Sequence, residues 1–96
     1  MMTISDNNKK FLDNLVQYYI DESESYKQFA NEYKEFSKSE MDVAFGLIVG
    51  SLYSTFLQTY ANQQLEVGLD DIQEFHEFIK SNAEQIRESL EKNQDS

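Results

Sequence analysis

The sequence predicts an all-α fold, an antiparallel helical bundle of three long helices, or of four if the first helix breaks near residues 21–25. Three observations predict it. The chain has no proline and only three glycines, so most of the residues that mark turns are missing. Apolar residues recur at helical spacing in three segments, with capping signals between them. No segment shows the sustained apolar and polar alternation that is typical of strands.

The first segment runs from about Asn7 to Ser37. As one helix of about 30 residues it would be about 45 Å long, whereas a compact domain of this size is about 30 to 35 Å across. We therefore expect either a break in the polar run 21–25, where Asp21 and Glu24 can form a new capping box, or a second chain that covers the overhang. The residues predicted to face inward are Leu12, Leu15, Tyr19, Tyr26, Phe29, Tyr33 and Phe36.

The second segment runs from about residue 40 to residue 64. Ser39 and Asp42 form a capping box at its start, and Ser37 with Glu40 forms an equally good one, so the start is uncertain by one turn. We expect this helix to be the buried centre of the bundle, with the other two packed around it.

The third helix is predicted to begin at Asp70 or Asp71, after Gly68, which has the residue type of a left-handed helix C-cap. Its predicted inward stripe is Ile72, Phe75, Ile79, Ala83, Ile86 and Leu90. At 96 residues the chain is expected to form a single domain over residues 1–96, with frayed ends at about 1–6 and 93–96.

The stretch 43–65 contains no charged residue and is long enough to cross a membrane. Its second half, however, is rich in hydroxyl and amide side chains, which are costly in lipid. Acidic residues flank it where lysine and arginine would be expected. We therefore expect a helix of a soluble bundle and no membrane contact.

On a helical projection this stretch has a bulky apolar face and an adjacent face of small residues. Small residues four apart allow another helix backbone to approach closely. We expect either a helix of the same chain or the same helix of a second copy to pack there. The residues of this predicted packing or dimer contact are Gly46, Gly50, Ser54 and Ala61.

Glu22 and His76 are candidates for buried polar side chains. Glu22 lies within the aromatic stripe of the first segment, one turn from Tyr19 and from Tyr26. Burial there would predict a raised pKa, a metal ligand or a polar register residue, whereas a helix break would leave the carboxylate in solvent. His76 is the only histidine and lies at the edge of an apolar stripe. Since no second histidine is available for a paired site, we expect no metal and no cofactor.

Carboxylates also repeat along the outer face of the third helix, and Phe78 beside them is expected to be an exposed aromatic that a partner or second subunit could contact. They predict a surface for a basic partner or, alternatively, an imitation of a nucleic-acid backbone. Lys80, Arg87 and Lys92 lie within helical pairing distance of Glu77, Glu84 and Glu88 and would balance part of this charge. The predicted partner-binding residues are Asp70, Glu74, Glu77, Phe78, Glu84, Glu88 and Glu91.

The 8 basic and 18 acidic residues give a net charge of −10, which disfavours direct nucleic-acid binding. The chain has no cysteine, and its N-terminal residues lack a secretory signal, so we expect a cytoplasmic location. Recognisable catalytic motifs are missing. The sequence therefore favours a non-enzymatic interaction or regulatory protein that acts as an acidic helical homodimer. The alternatives are a nucleic-acid-mimicking inhibitor, and a small enzyme or metal carrier centred on Glu22.

Overall fold

The first predicted helix is broken at Glu22. In the computed structural model, which describes residues 4–92, α1 spans Asp6–Asp21 and α2 spans Ser23–Glu32. A short 3-10 turn, Lys34–Phe36, leads to α3 at Glu40–Asn62, and α4 covers Leu69–Lys92. Within the described residues there are four helices and no strand, so the all-α prediction is confirmed in its four-helix form. Together α1 and α2 still run from residue 6 to residue 32, but they fit within the 40 Å long axis of the molecule, which is longer than the expected width of about 30 to 35 Å.

Contacts at the two ends of the bundle give the helix directions. At one end, Asn8 near the start of α1 hydrogen-bonds Gln63 just after α3. At the other end, Arg87 near the end of α4 forms an ion pair with Asp42 in the first turn of α3. The helices therefore form three antiparallel rods, and α1 with α2 makes up the first. The long axis of the molecule is 40 Å.

The break is stabilised by the residue after Glu22. Ser23 is 1% exposed, and its hydroxyl donates a hydrogen bond of 3.3 Å to the backbone carbonyl of Ser89 in α4. A larger side chain would not fit between the two helices. The local sequence does not show that Ser23 would be the buried serine. Ser25 lies two residues later in the same helix and is exposed.

Helix α3 begins where the sequence predicts. The hydroxyl of Ser39 accepts a hydrogen bond of 3.1 Å from the backbone N–H of Asp42, which satisfies a donor that the first turn leaves free. Of the two capping boxes, the structure therefore uses the one at Ser39.

The end of α3 differs from the prediction. Gln64, not Gly68, takes the left-handed conformation, with φ of 60°. The N–H of Leu65 donates to the carbonyl of Tyr60 at 2.9 Å, and that of Gln64 donates to Ala61 at 3.0 Å. These two bonds form a Schellman cap, which usually has glycine where Gln64 lies. Gly68 instead precedes α4 and donates its N–H to the carboxylate of Asp71.

The core lies between the three rods and is centred on Phe56 and Phe75, whose rings stack at 4.7 Å. The predicted inward stripe of the last helix is confirmed, with four residues buried and two half-buried. After the break, Tyr26 of the predicted stripe packs against the core, but the prediction is wrong for Phe29, Tyr33 and Phe36, which are 50%, 49% and 84% exposed. Because the break changes the orientation of α2, Ser23 and Ala30 face inward instead.

The N-terminal residues that the structure describes are held against the bundle. Ile4 is 3% exposed, and its N–H donates a hydrogen bond of 2.7 Å to the carboxylate of Glu74. This contact differs from the predicted fraying of residues 1–6. The remaining residues of both predicted frayed ends, 1–3 and 93–96, lie outside the described part of the chain.

Candidate interaction surfaces

Helix α3 buries one narrow face. Its buried residues recur at every fourth position, from Ala44 through Leu52 to Tyr60. Among the described residues, α3 alone is long and apolar enough to cross a membrane by length and composition, yet only 22% of that 18-residue window is buried. The expectation of a central helix enclosed on several sides is therefore wrong. The three-rod arrangement covers α3 from one side and leaves the other open.

We call the open side of α3 the outward face. It contains no charged side chain, although 27% of the whole chain is charged. Its middle combines exposed small residues with half-buried leucines on either side. The outward face consists of Val43, Gly46, Leu47, Gly50, Ser54, Leu57 and Ala61, of which Val43 and Leu57 lie at its edges and also pack against the core.

The predicted small-residue contact lies on this outward face. Gly46, Gly50, Ser54 and Ala61 are all exposed. A Cβ added at Gly46 or Gly50 would meet no atom within 4 Å. Among the described helices, α1, α2 and α4 contact the bulky side of α3, and none comes within 4 Å of a Cβ placed at Gly46 or Gly50, so the close packing of a helix of the same chain against these glycines is not found. Contact with a second copy stays a prediction.

The predicted acidic stripe on α4 is interrupted. Glu74 is half-buried, and besides accepting the N–H of Ile4 its carboxylate lies 3.5 Å from the ammonium of Lys9. Phe78 is also half-buried and packs against the core, so it is not the exposed aromatic that we predicted. The remaining carboxylates are exposed, and they are Asp70, Glu77, Glu84, Glu88 and Glu91.

Arg87 links α4 to α3 instead of pairing along its own helix. Its guanidinium lies 3.3 Å from the carboxylate of Asp42 and 5.5 Å from the centre of the Phe45 ring. The expected local balance of Glu84 by Arg87 is therefore absent. Among the side chains of residues 4–91, the ion pairs are this one and the Lys9–Glu74 pair.

Glu22 and His76 are both exposed, so Glu22 matches the alternative of a helix break that leaves its carboxylate in solvent, and the burial considered for His76 is not found. Glu22 lies at the helix break, and its carboxylate is exposed to solvent. His76 lies on the outer side of α4, near the ring of Tyr53 at 6.3 Å. Within the described residues, no group of three or more potential ligand side chains could hold a metal ion.

Sequence reasoning missed an aromatic surface at the turn after α2. Phe29 and Tyr33 contact each other at 5.2 Å between ring centres, and both are about half exposed. Phe36 follows in the 3-10 turn and is more exposed than either. The helix break at Glu22 was the available signal, because a new helix need not continue the inward stripe of the one before it.

A cleft of about 320 Å³ lies between the N-terminal residues and α4, lined by Ile4, Lys9, Leu12, Asp13, Glu74, Glu77 and Phe78. Its lining combines apolar side chains with three carboxylates. The Glu74 carboxylate is already bound to Ile4 and Lys9. This arrangement supplies packing and charge but not a nucleophile beside a base.

Comparison with models of known protein families, with curated proteins and with solved structures finds no match for this chain.

Proposed function

We propose that the protein is a non-enzymatic interaction protein that works as a homodimer, with the outward face of α3 as the contact between two copies. One observation carries this proposal: the most apolar helix of a strongly acidic chain leaves an uncharged face exposed. Exposed apolar faces of this kind mark contacts with other proteins or with membranes.

Helix α3 fits a protein contact better than a lipid surface. Glycine and serine at its centre allow close packing of a second helix but add little apolar area for insertion. The flanking carboxylates, including Glu40 and Glu66, would lie near the headgroups of an anionic membrane and be repelled. A second copy is available at any site where the chain is made and needs no further component.

Sedimentation equilibrium tests the homodimer directly. We expect a mass of about twice 11.3 kDa at tens of micromolar, since a single helix face supports association of moderate strength. Gly50→Asp should give a folded monomer, because its side chain has open space in one copy but would bring two carboxylates together in a pair.

Gln85→Asp is the matched control, since it adds the same charge at an exposed position of α4. A parent chain that sediments as a monomer, or a Gly50→Asp variant that still dimerises, would contradict the outward face as the contact. Binding of the monomer to phosphatidylcholine vesicles would show instead that this face serves a lipid surface.

The exposed carboxylates of α4 supply the second part of the proposal, a surface for a basic protein partner. Glu77, Glu84 and Glu88 lie on one helix, are exposed, and form none of the ion pairs found among the side chains of residues 4–91. A row of unbalanced carboxylates attracts cationic surfaces and raises their rate of association.

A basic protein captured from the native host should be released as ionic strength rises, and should be lost with Glu77, Glu84 and Glu88 changed to Gln. Exposed carboxylates elsewhere, such as Asp13 and Asp21, changed to Asn provide a control of similar charge. If DNA competes with the captured protein for the same partner, the surface acts as a nucleic-acid mimic.

The proposal includes a cytosolic location. A chain without cysteine needs no oxidising compartment to fold, because no disulfide contributes to its stability. Fractionation of the native host tests the location, and recovery of the chain in the membrane fraction would contradict it.

A further inference from the structure

We infer that the two copies pair through the outward face of α3 in antiparallel orientation, about a two-fold axis that crosses this face at the level of residue 52, between Gly50 and Ser54. This inference rests on the homodimer proposed above and adds the register of the contact, its orientation and the residues that meet.

The centre line of the outward face repeats at alternating steps of four and three residues. This is the spacing of the two contact positions in a coiled coil, so a second helix can follow the whole face. From its first to its last residue the line covers 18 steps of 1.5 Å, or about 27 Å. Its residues are Val43, Leu47, Gly50, Ser54, Leu57 and Ala61.

These positions are symmetric about residue 52. Gly50 and Ser54 lie two residues from it, and Leu47 and Leu57 lie five residues from it. In an antiparallel pair, Leu47 of one copy therefore meets Leu57 of the other, on both sides of the axis. The small residues meet at the centre, where they allow the two backbones to approach.

Charge at the two ends of α3 favours this orientation over a parallel one. After α3 come Glu66 and Asp70, both exposed, and no lysine or arginine lies between residues 62 and 79. A parallel pair would place these carboxylates beside their own copies, where like charges repel.

The opposite end of α3 is not acidic in the same way. Lys34 and Lys38 are exposed there and balance the charges of Glu35 and Glu40. The next carboxylate, that of Asp42, is paired with Arg87. An antiparallel pair brings this balanced, lysine-bearing end of one copy beside the acidic end of the other. Opposed helix dipoles favour the same orientation.

Single cysteines test the orientation, because the chain has none of its own. Leu47→Cys, carrying a mass tag, and Leu57→Cys are treated with a short thiol-specific crosslinker, each alone and as a mixture. We expect crosslinked dimers in the mixture only. In the antiparallel pair, two copies of position 47 lie about 15 Å apart along the helix axis, ten residues at 1.5 Å each.

Efficient crosslinking of each variant with itself would overturn the antiparallel orientation and leave the homodimer intact. If the cysteine variants sediment as dimers but none crosslinks, the outward face of α3 is not the contact. A parent chain that sediments as a monomer contradicts the proposed function itself, so the two failures are distinguishable. Ser81→Cys, exposed on α4, is the control for random collision.

Charge reversal gives a second, independent measurement. Lys38→Glu should raise the dissociation constant of the dimer about three- to tenfold, because it makes both ends of α3 acidic. Adding Glu66→Lys should restore the parent value in an antiparallel pair. Lys10→Glu is the control, since this exposed lysine lies on α1. A double variant that dimerises no better than Lys38→Glu alone would contradict the orientation.

Discussion

The side-chain amides of Asn8 and Gln63 exchange two hydrogen bonds, each of 3.0 Å, between the first turn of α1 and the residue that follows α3. Asn8 is 6% exposed, so its amide has little access to water when this partner is lost. The pair connects two segments 55 positions apart in the sequence. It therefore sets how the first rod lies against α3.

We expect Asn8→Ala to lower the free energy of unfolding by about 1 to 2 kcal/mol, because it removes both bonds. Urea denaturation followed by circular dichroism measures this change. Asn7→Ala is the matched control, since Asn7 lies in the same turn and is exposed. In a double-mutant cycle with Gln63→Ala, the two losses should not add, and strict additivity would show that the pair contributes nothing.

Gln64→Gly should stabilise the protein by about 0.5 to 1 kcal/mol. Glutamine is strained at the φ of 60° found there, whereas glycine adopts this conformation freely. Part of the gain is offset by the greater freedom of glycine in the unfolded chain. Thermal unfolding should show a higher midpoint, and an unchanged or lower one would contradict the Schellman cap.

Gly68→Ala is the opposite case and provides the comparison. The φ of Gly68 is not positive, and an added Cβ would lie 3.7 Å from the carboxylate of Asp71, an ordinary contact. We expect this variant to unfold no more easily than the parent chain. A loss of more than about 1 kcal/mol would mean that Gly68 has the conformational role that its residue type first suggested.

Ser23→Leu should destabilise the bundle by about 2 kcal/mol or more. Ser23 is only 1% exposed, so the larger leucine side chain would have to displace its packed neighbours. Ser23→Ala keeps the space and loses the hydrogen bond to Ser89, so its expected loss is about 1 kcal/mol. The same two changes at exposed Ser25 serve as controls. Equal effects at the two positions would contradict the packing at the helix break.

The protein should lose stability as pH rises above about 10. Burial, followed by the nearby charge of Asp71 and a hydrogen bond to its carboxylate, raises the pKa of Tyr60 above its usual 10.0. The folded state therefore holds this proton more tightly than the unfolded state does. The contribution of protonated Tyr60 to the free energy of unfolding is complete below about pH 10 and is lost as pH rises through the folded-state pKa.

Tyr60→Phe should make the alkaline loss of stability less steep. The pKa of Tyr26 is also raised, by burial first and then by Tyr19 and Tyr18, so combining Tyr26→Phe with Tyr60→Phe should reduce the slope further. Denaturation midpoints between pH 8 and 11.5 measure it. An unchanged slope in both variants would show that these phenols do not couple to folding.

Short-range signals were enough to place the start of α3 within one turn and to offer a break in the first segment as one of two alternatives. Ser39 and Asp42 lie three residues apart, and the polar run 21–25 is visible in the sequence. The Schellman cap at Gln64 could not be predicted in this way. Gly68, four residues later, is a residue type that adopts the left-handed conformation more easily than glutamine does. Only the packing of the helices shows that α3 ends at Gln64 instead.

The surfaces were harder to predict than the helices. The sorting of α3 into a bulky and a small face was correct, but which neighbours cover each face depends on three helices at once. Likewise, the inward stripe of the first segment assumed one continuous helix, and a change of orientation at Glu22 exposes Phe29 and Tyr33. Periodicity identifies a face, whereas long-range packing decides what lies against it.

The two glycines in the middle of α3 have a consequence for hydrogen exchange. With open space around each, they weaken the helix by about 1 kcal/mol apiece relative to alanine. Backbone amides near Gly46 and Gly50 should therefore open and exchange with solvent sooner than those near Phe56, which packs in the core. When two copies pair, the same amides should gain protection as protein concentration rises, so α3 would report its own assembly residue by residue.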